Sequence, residues 1–454
     1  MIIVKAITDT LYYANNVLEA FANKIGHLEF PINPFEILKE YNVDILFSNF
    51  DQLEGYLVYS DNEKSLVSIN YNRPIQRQRF TAAHELGHII MHTKLRTNFL
   101  CFINDIKNDL EKEADEFASY ILMPNNELER QINKYQNEYG KVTLDDCLYI
   151  AEYFGVSFEA CVRAVLYRMH RLNVYYSNTE LKRVLKDYKP TTKRERLLLE
   201  SNDINLLYNA LNYSYFPIIN FDSIIGIKFI QDLVYHESRL EKVDIAMEQI
   251  REIFADLRIN GSNSEYCHSD NVNVIEALGN IELNEYCLKT SDKLSIKKII
   301  DLNKKLYRYT PYPEYAGDIR NTNNIIIGGK IQPIEHNQIP IKMDELQIKI
   351  DELLNDIEKF TIKEYIFKSC QIHYEITMMH PFNNGNGRVA RAFLNWLLRL
   401  KKLPPIIIDS TLRDDYLSAL HAIDDGNDPE LKQLQLIIIK SIINTIGNFY
   451  KNWN

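Results

Sequence analysis

An excess of positive charge is missing from this 454-residue chain: 62 acidic side chains outnumber 52 lysines and arginines, for a net charge of −10. That balance argues against a broad nucleic-acid or anionic-membrane footprint. The six cysteines, at 101, 147, 161, 267, 287 and 370, contain no CxxC pair. Cys147 and Cys161 sit in apolar helical patterns, so the set reads as reduced, buried thiols of a cytoplasmic protein. A membrane-length apolar run is also lacking, because the longest candidate, Leu436 to Ile446, is interrupted by Lys440 and Asn444 and reads as a core helix. The opening residues turn acidic too early for a signal peptide, and no internal repeat is visible. What remains, 46% hydrophobic and 25% charged residues, is a globular balance with two or three domains expected.

The richest stretch is His380-Pro-Phe-Asn-Asn-Gly-Asn-Gly-Arg-Val-Ala-Arg391. A glycine-containing turn opening onto a helix directs backbone N–H groups at an anion, and the helix dipole reinforces them. Arg388 and Arg391 are three residues apart on that helix and suit a polyphosphate. His380 titrates near neutrality and is the candidate general base.

The run resembles the signature of Fic-domain proteins, His-x-Phe-x-(Asp/Glu)-Gly-Asn-Gly-Arg-x-x-Arg. The resemblance implies transfer of AMP from ATP, with Mg²⁺, to a hydroxyl of a target protein. By position, His380 deprotonates that hydroxyl; Gly385, Asn386, Gly387 and Arg388 hold the α- and β-phosphates; Arg391 holds the γ-phosphate. Asn384 departs from the pattern: it stands where the family has the acid that binds Mg²⁺, and an amide oxygen brings no charge to a hard cation. The family's inhibitory helix, (Ser/Thr)-x-x-x-Glu-(Gly/Asn), aligns with Glu237 to Lys242. Glu241 then takes the inhibitory role against Arg391, with Glu237 in place of the hydroxyl residue and Lys242 in place of Gly or Asn. Ala316-Gly-Asp-Ile-Arg320 resembles the step before the family's flap, so residues 322–332 are expected to form a hairpin that holds the target segment by strand addition.

A second motif lies in Thr81-Ala-Ala-His-Glu-Leu-Gly-His-Ile-Ile-Met-His92. On a helix, His84 and His88 share one face and reach a single Zn²⁺, with Glu85 placed to take a proton from water. A second amphipathic helix over Glu111 to Met123, stopped at Pro124, offers acids for the third ligand. The two segments resemble the ImmA/IrrE metallopeptidases, over roughly residues 5–172. The resemblance puts the third ligand at Glu113, with Glu111, Asp115 and Glu116 as rivals. His92 lies one turn too far along a straight helix to share the ion and is expected to make a structural hydrogen bond.

Around these motifs, Val43–Phe47 predicts a strand and Tyr56 to Tyr71 a hairpin, whose sheet edge suits an extended peptide substrate. Helices are expected near 126–138, 143–154 and 158–171. The last two look like a helix-turn-helix, but Asp145, Asp146 and Glu159 oppose DNA, so they read as a packing module. The expected fold is mainly α: an α+β, zincin-like module with a small sheet over 1–172, a connector over 173–200, and an all-α Fic fold with a hairpin flap over 201–454. Two functions compete. One is a bifunctional enzyme, AMP transferase and zinc endopeptidase, in a toxin, stress-response or phage-defence switch. The other is a regulatory nucleotide-binding protein with one silent site.

Overall fold

The computed structural model describes residues 2–60, 63–92, 98–102, 108–216, 218–311, 316–324 and 332–451. The chain folds into two compact units, Met1–Tyr215 and Phe216–Asn454. The connector expected at 173–200 carries helices, and both it and residues 201–215 belong to the first unit.

In the first unit, α1 (Ile2–Ile25) and α2 (Pro34–Glu40) precede strands β1 (Val43–Ser48), β2 (Leu53–Val58) and β3 (Ser65–Asn70). After α3 (Ile75–Met91), β4 (Phe99–Phe102) completes a sheet of order β1-β3-β2-β4. The expected hairpin is present as the antiparallel β2–β3 pair, with Tyr56 opposite Ser68, while β1 joins β3 in parallel. Residues 61 and 62 of its turn lie outside the described residues. Helix α3 packs on β2 and β3 at a place made by Gly55, where a Cβ would stand 2.6 Å from Thr81 Cγ2 and 2.8 Å from Ser68 O.

Next come α4 (Asp109–Leu122), α5 (Asn125–Tyr135), α6 (Leu144–Phe154) and α7 (Phe158–Arg163). In α4, the amphipathic helix expected here, Ala114, Phe117, Ala118 and Ile121 form the inward face and are fully buried. The turn between α6 and α7 rests on Gly155, left-handed at φ +60°. Beneath it lies the fully buried Arg79 of α3. Its Nε–H donates to Gly155 O at 3.0 Å, and Nη2 donates to Ile32 O at 2.8 Å and Phe154 O at 3.1 Å. The unit ends with α8 (Asn178–Tyr188), α9 (Pro190–Arg196) and α10 (Asp203–Asn212), and Leu206 of α10 packs against Gly155.

Among its described residues the second unit has helices and no strands: α11 (Ile224–Leu240), α12 (Met247–Asn260), α13 (Val272–Lys289), α14 (Lys298–Leu306), α15 (Ile339–Asn355), α16 (Ile362–Met379), α17 (Asn386–Leu400), α18 (Arg413–Asp424) and α19 (Lys432–Lys451), with short 3-10 turns between some of them. Helix α17 is the core element. It contacts α13, α14 and α16, and Val389, Phe393, Trp396 and Leu397 have no exposed surface. A capping box of Thr361 and Glu364 starts α16, satisfying two otherwise orphaned N–H groups. Among the described residues, no helix is long and apolar enough to cross a membrane. Most of the expected flap, 325–331, lies outside the described residues.

Candidate functional site

The histidines of α3 meet the acids of α4. His84 and His88 are almost wholly buried, and their Nε2 atoms stand 3.1 Å apart. Glu111 reaches both, at 3.1 Å from His84 Nε2 and 3.3 Å from His88 Nε2. These three side chains converge with ligand atoms within 4.8 Å of one another. Glu113, expected as the third ligand, does not join them. Its carboxylate meets His92 Nε2 at 3.1 Å, and His92 Nδ1 lies 2.9 Å from His88 Nδ1. The two glutamates flank the stripe that α4 buries on opposite sides: Glu111 lies three and seven residues before Ala114 and Ala118 and meets His84 and His88, while Glu113 lies four and eight before Phe117 and Ile121 and meets His92. Of the rivals, Asp115 bonds His84 Nδ1 at 3.0 Å, an outer-shell position that orients a ligating imidazole. Glu116 is not among the residues grouped around the imidazoles.

Charge in this cluster follows burial and pairing. Burial disfavours a charged His84, but Asp115 and Glu111 more than offset it and hold its pKa up at about 9. For His88 burial wins, and the pKa falls to about 4. Burial opposes ionised Glu111 as well, yet hydrogen bonds from both histidines pull its carboxyl well below the usual range. Glu85 is fully buried, its pKa is pushed up to about 7 by desolvation, and neither carboxylate oxygen has a hydrogen-bond partner. An orphaned buried carboxylate beside two converging imidazoles and an acid is the donor set a divalent ion with a reactive water requires. The residues fit such an ion.

In the second unit, the signature run ends α16 and begins α17. His380 caps α16 in the left-handed region at φ 45°, a strained choice for a residue with a side chain. Gly385, at φ 80°, is the N-cap of α17, where a Cβ would press on Leu306 and Tyr307. Asn386 closes the loop on itself: Phe382 N–H donates to its Oδ1 at 2.9 Å and its Nδ2 donates to Phe382 O at 2.8 Å. Arg320 ties the loop from outside, donating to His380 O at 2.7 Å and Ile334 O at 2.5 Å. Burial, with the charge of Arg320, holds the His380 pKa below its ordinary value.

A cavity of about 510 Å³ brings together His380, Asn386, Gly387, Arg391, Glu241 and Tyr416, among others. Arg388, expected to hold a phosphate, turns elsewhere, paired with Glu276 and donating to Tyr307 Oη at 2.9 Å. Asn384 and Gly385 are also not in the cavity lining; Asn384 is exposed and its Oδ1 accepts from Gly385 N–H at 2.8 Å. Arg391 Nη2 donates to Glu241 Oε1 at 2.7 Å, and a Cβ on Gly387 would lie 3.1 Å from that same oxygen. A carboxylate therefore sits at the N-terminus of α17, where an anion belongs. Burial opposes that charge, but Arg391 and Arg388 outweigh it and keep the Glu241 pKa below the usual range.

The sequence reading missed the stronger partner of Arg391. Its Nε–H lies 2.9 Å from both oxygens of Glu237, and Nη2 is 2.7 Å from Glu237 Oε2. The signal was available: Glu237 continues the buried α11 stripe of Ile230, Leu233, Val234 and Leu240, and an acid on an apolar stripe calls for a buried cation.

Taken together, one unit brings two imidazoles and a carboxylate within ligand distance of one another, and the other opens a cavity at the N-terminus of α17 beside Arg391. Comparison with known proteins gives the families. Residues 38–166 match the M78 peptidase model, the IrrE N-terminal-like domain, and residues 293–398 match the Fic/DOC family model. The chain joins an IrrE-like domain to a Fic domain. It resembles protein adenylyltransferase fic-1 of Caenorhabditis elegans, 28% identical over 194 residues, which are 43% of this chain and 36% of that relative. It also resembles protein adenylyltransferase Fic of Nematostella vectensis, 26% identical over 43% of each chain. The match thus spans well under half the length of these relatives. Among solved structures, Fic-1 from C. elegans aligns over 72% of this chain and 91% of its own, with 20% identity and a TM-score of 0.43.

Proposed function

We propose that the chain is a bifunctional enzyme, a Fic-type nucleotidyltransferase joined to a metallopeptidase. The observation that carries the first half is the shared cavity of His380, Gly387 and Arg391, and adenylyltransferase relatives favour AMP from ATP as the transferred group. His380 takes the proton of the acceptor hydroxyl, and its lowered pKa keeps the imidazole free to do so. The N-terminus of α17 and Asn386 orient the phosphates, so catalysis rests on positioning and charge neutralisation. Mg²⁺ enters with the nucleotide, and Asn384 offers it an amide oxygen at most. Glu241 in the anion position supports autoinhibition. The protein target docks along residues 322–332.

For the second half, His84, His88 and Glu111 are the proposed ligands of a zinc ion, which supplies Lewis acidity to a peptide carbonyl and a water. Glu85 accepts and returns the proton, Asp115 orients His84, and the sheet edge receives an extended peptide. The composition suits action in the cytoplasm, and the pairing of the two families suits a toxin, stress-response or phage-defence switch.

The test is intact-mass analysis of proteins in a cell lysate incubated with MgATP and the full chain carrying Glu241→Gly, which removes the inhibitory carboxylate, alongside metal quantification. A nucleotidyl mass increase on a lysate protein and about one zinc per chain are expected. A second reading, nucleotide binding without transfer, is supported by Asn384, whose oxygen is already engaged by Gly385 N–H. Saturable ATP binding with no labelled protein selects it.

A further inference from the structure

The nucleotide-site reading is the ground for a sharper statement about its phosphate selectivity. Each signature arginine already has an acid. Arg388 is matched by Glu276 and Tyr307. Arg391 is matched by two carboxylates that differ in how they are held. Glu241 makes one bond, from the end of α11, and its side chain is 30% exposed. Glu237 lies within the last turn of α11, its side chain is 5% exposed, and it holds Arg391 through Nε and Nη2. A partly exposed helix-end side chain can swing into solvent, whereas a buried one with a two-point grip on a guanidinium cannot leave without stranding both charges.

We propose that Glu237 is a specificity-determining residue of this site: a fixed counter-charge that keeps Arg391 neutralised after Glu241 moves away, so that the cradle does not select for a third phosphate. Two acids face one guanidinium, and removing one still leaves the pair neutral. Attraction for an anion then comes from the backbone at the start of α17, beside Gly387, at the depth of the inner phosphates. ATP and ADP would gain almost equally from that. The hydroxyl residue that the family places at this position carries no such charge, so this chain differs at the point where a γ-phosphate is weighed.

The experiment measures dissociation constants for MgATP and MgADP by calorimetric titration of the full chain and three variants: Glu241→Gly, Glu237→Gln and the double variant. Glu241→Gly is expected to bind both nucleotides with a ratio near one. The double variant, with the guanidinium freed, is expected to prefer ATP by about tenfold or more, as befits one charge-assisted phosphate contact. An ATP preference in Glu241→Gly equal to that of the double variant overturns the proposal. Should that double variant fail to fold, Glu237→Gln/Glu241→Gln, which keeps both side-chain shapes while removing both charges, carries the test, and its ATP preference must exceed that of Glu241→Gly. If a folded double variant binds neither nucleotide, the nucleotide-site reading itself falls, which a flat ATP-to-ADP ratio with measurable binding does not cause.

Discussion

His380 holds its backbone at φ 45° as the cap of α16, and it holds its proton less tightly than a free imidazole because it is partly buried there beside Arg320. The proton shift has a definite sign. A base whose pKa is lowered stays neutral further into acid, so the transfer rate should hold steady down through the ordinary histidine value of about 6.5 and fall only below it. A pH–rate profile with its acidic limb above that value would contradict the assignment. Replacing His380 with Ala should slow transfer roughly 10²–10⁴-fold, measured as nucleotide incorporated per minute. In the other unit the contrast between neighbouring acids is the useful one. Glu111→Gln should weaken zinc binding about 10–100-fold or more, while Glu113→Gln, which touches only His92, should leave zinc stoichiometry intact; competition with a chromogenic chelator reads both. Glu85→Gln should keep its zinc and lose peptide cleavage, because the amide cannot accept the proton.

Helices α3 and α4 place those residues, and their spacing depends on Gly87. A Cβ there would meet Phe117 Cδ1 at 3.1 Å and Ala114 Cα at 3.3 Å. Gly87→Val should push the helices apart, destabilise the first unit by roughly 1–3 kcal/mol and lower zinc uptake, as seen in a chemical melt and a metal assay. These elements also show how far the residues alone could be read. The α3 motif, the inward stripe of α4 and the stop at Pro124 were legible because each is a local pattern of 3.6-residue period or a helix breaker. Strand β4 was not: Phe99–Phe102 is four residues long and is a strand only because β2 lies beside it. The choice between Glu111 and Glu113 turned on about two residues of helical phase, finer than a family alignment of short motifs resolves. Glu276, remote in sequence from the arginine it meets, became visible only when the helices were packed, whereas Glu237 left a trace as an acid on the apolar stripe of α11.

Each unit of the whole chain has its own core, and the two proposed sites fall in different units. Two calorimetric transitions are therefore expected. A chelator should lower only the one belonging to Met1–Tyr215, and nucleotide added to the Glu237→Gln/Glu241→Gly variant should raise only the other, each by the logarithm of ligand concentration over its dissociation constant. A single transition moved by both ligands would show that the units unfold as one. Within the first unit, Arg79 fixes where the module must end. Its guanidinium donates through Nε and Nη2 to Ile32, Phe154 and Gly155, so the helix that carries His84 is riveted to the turn after α6. The pair of helices that imitates a DNA reader is thus a footing for the metal-bearing helix, and a chain cut short before Leu144 would leave that rivet only Ile32 to grip.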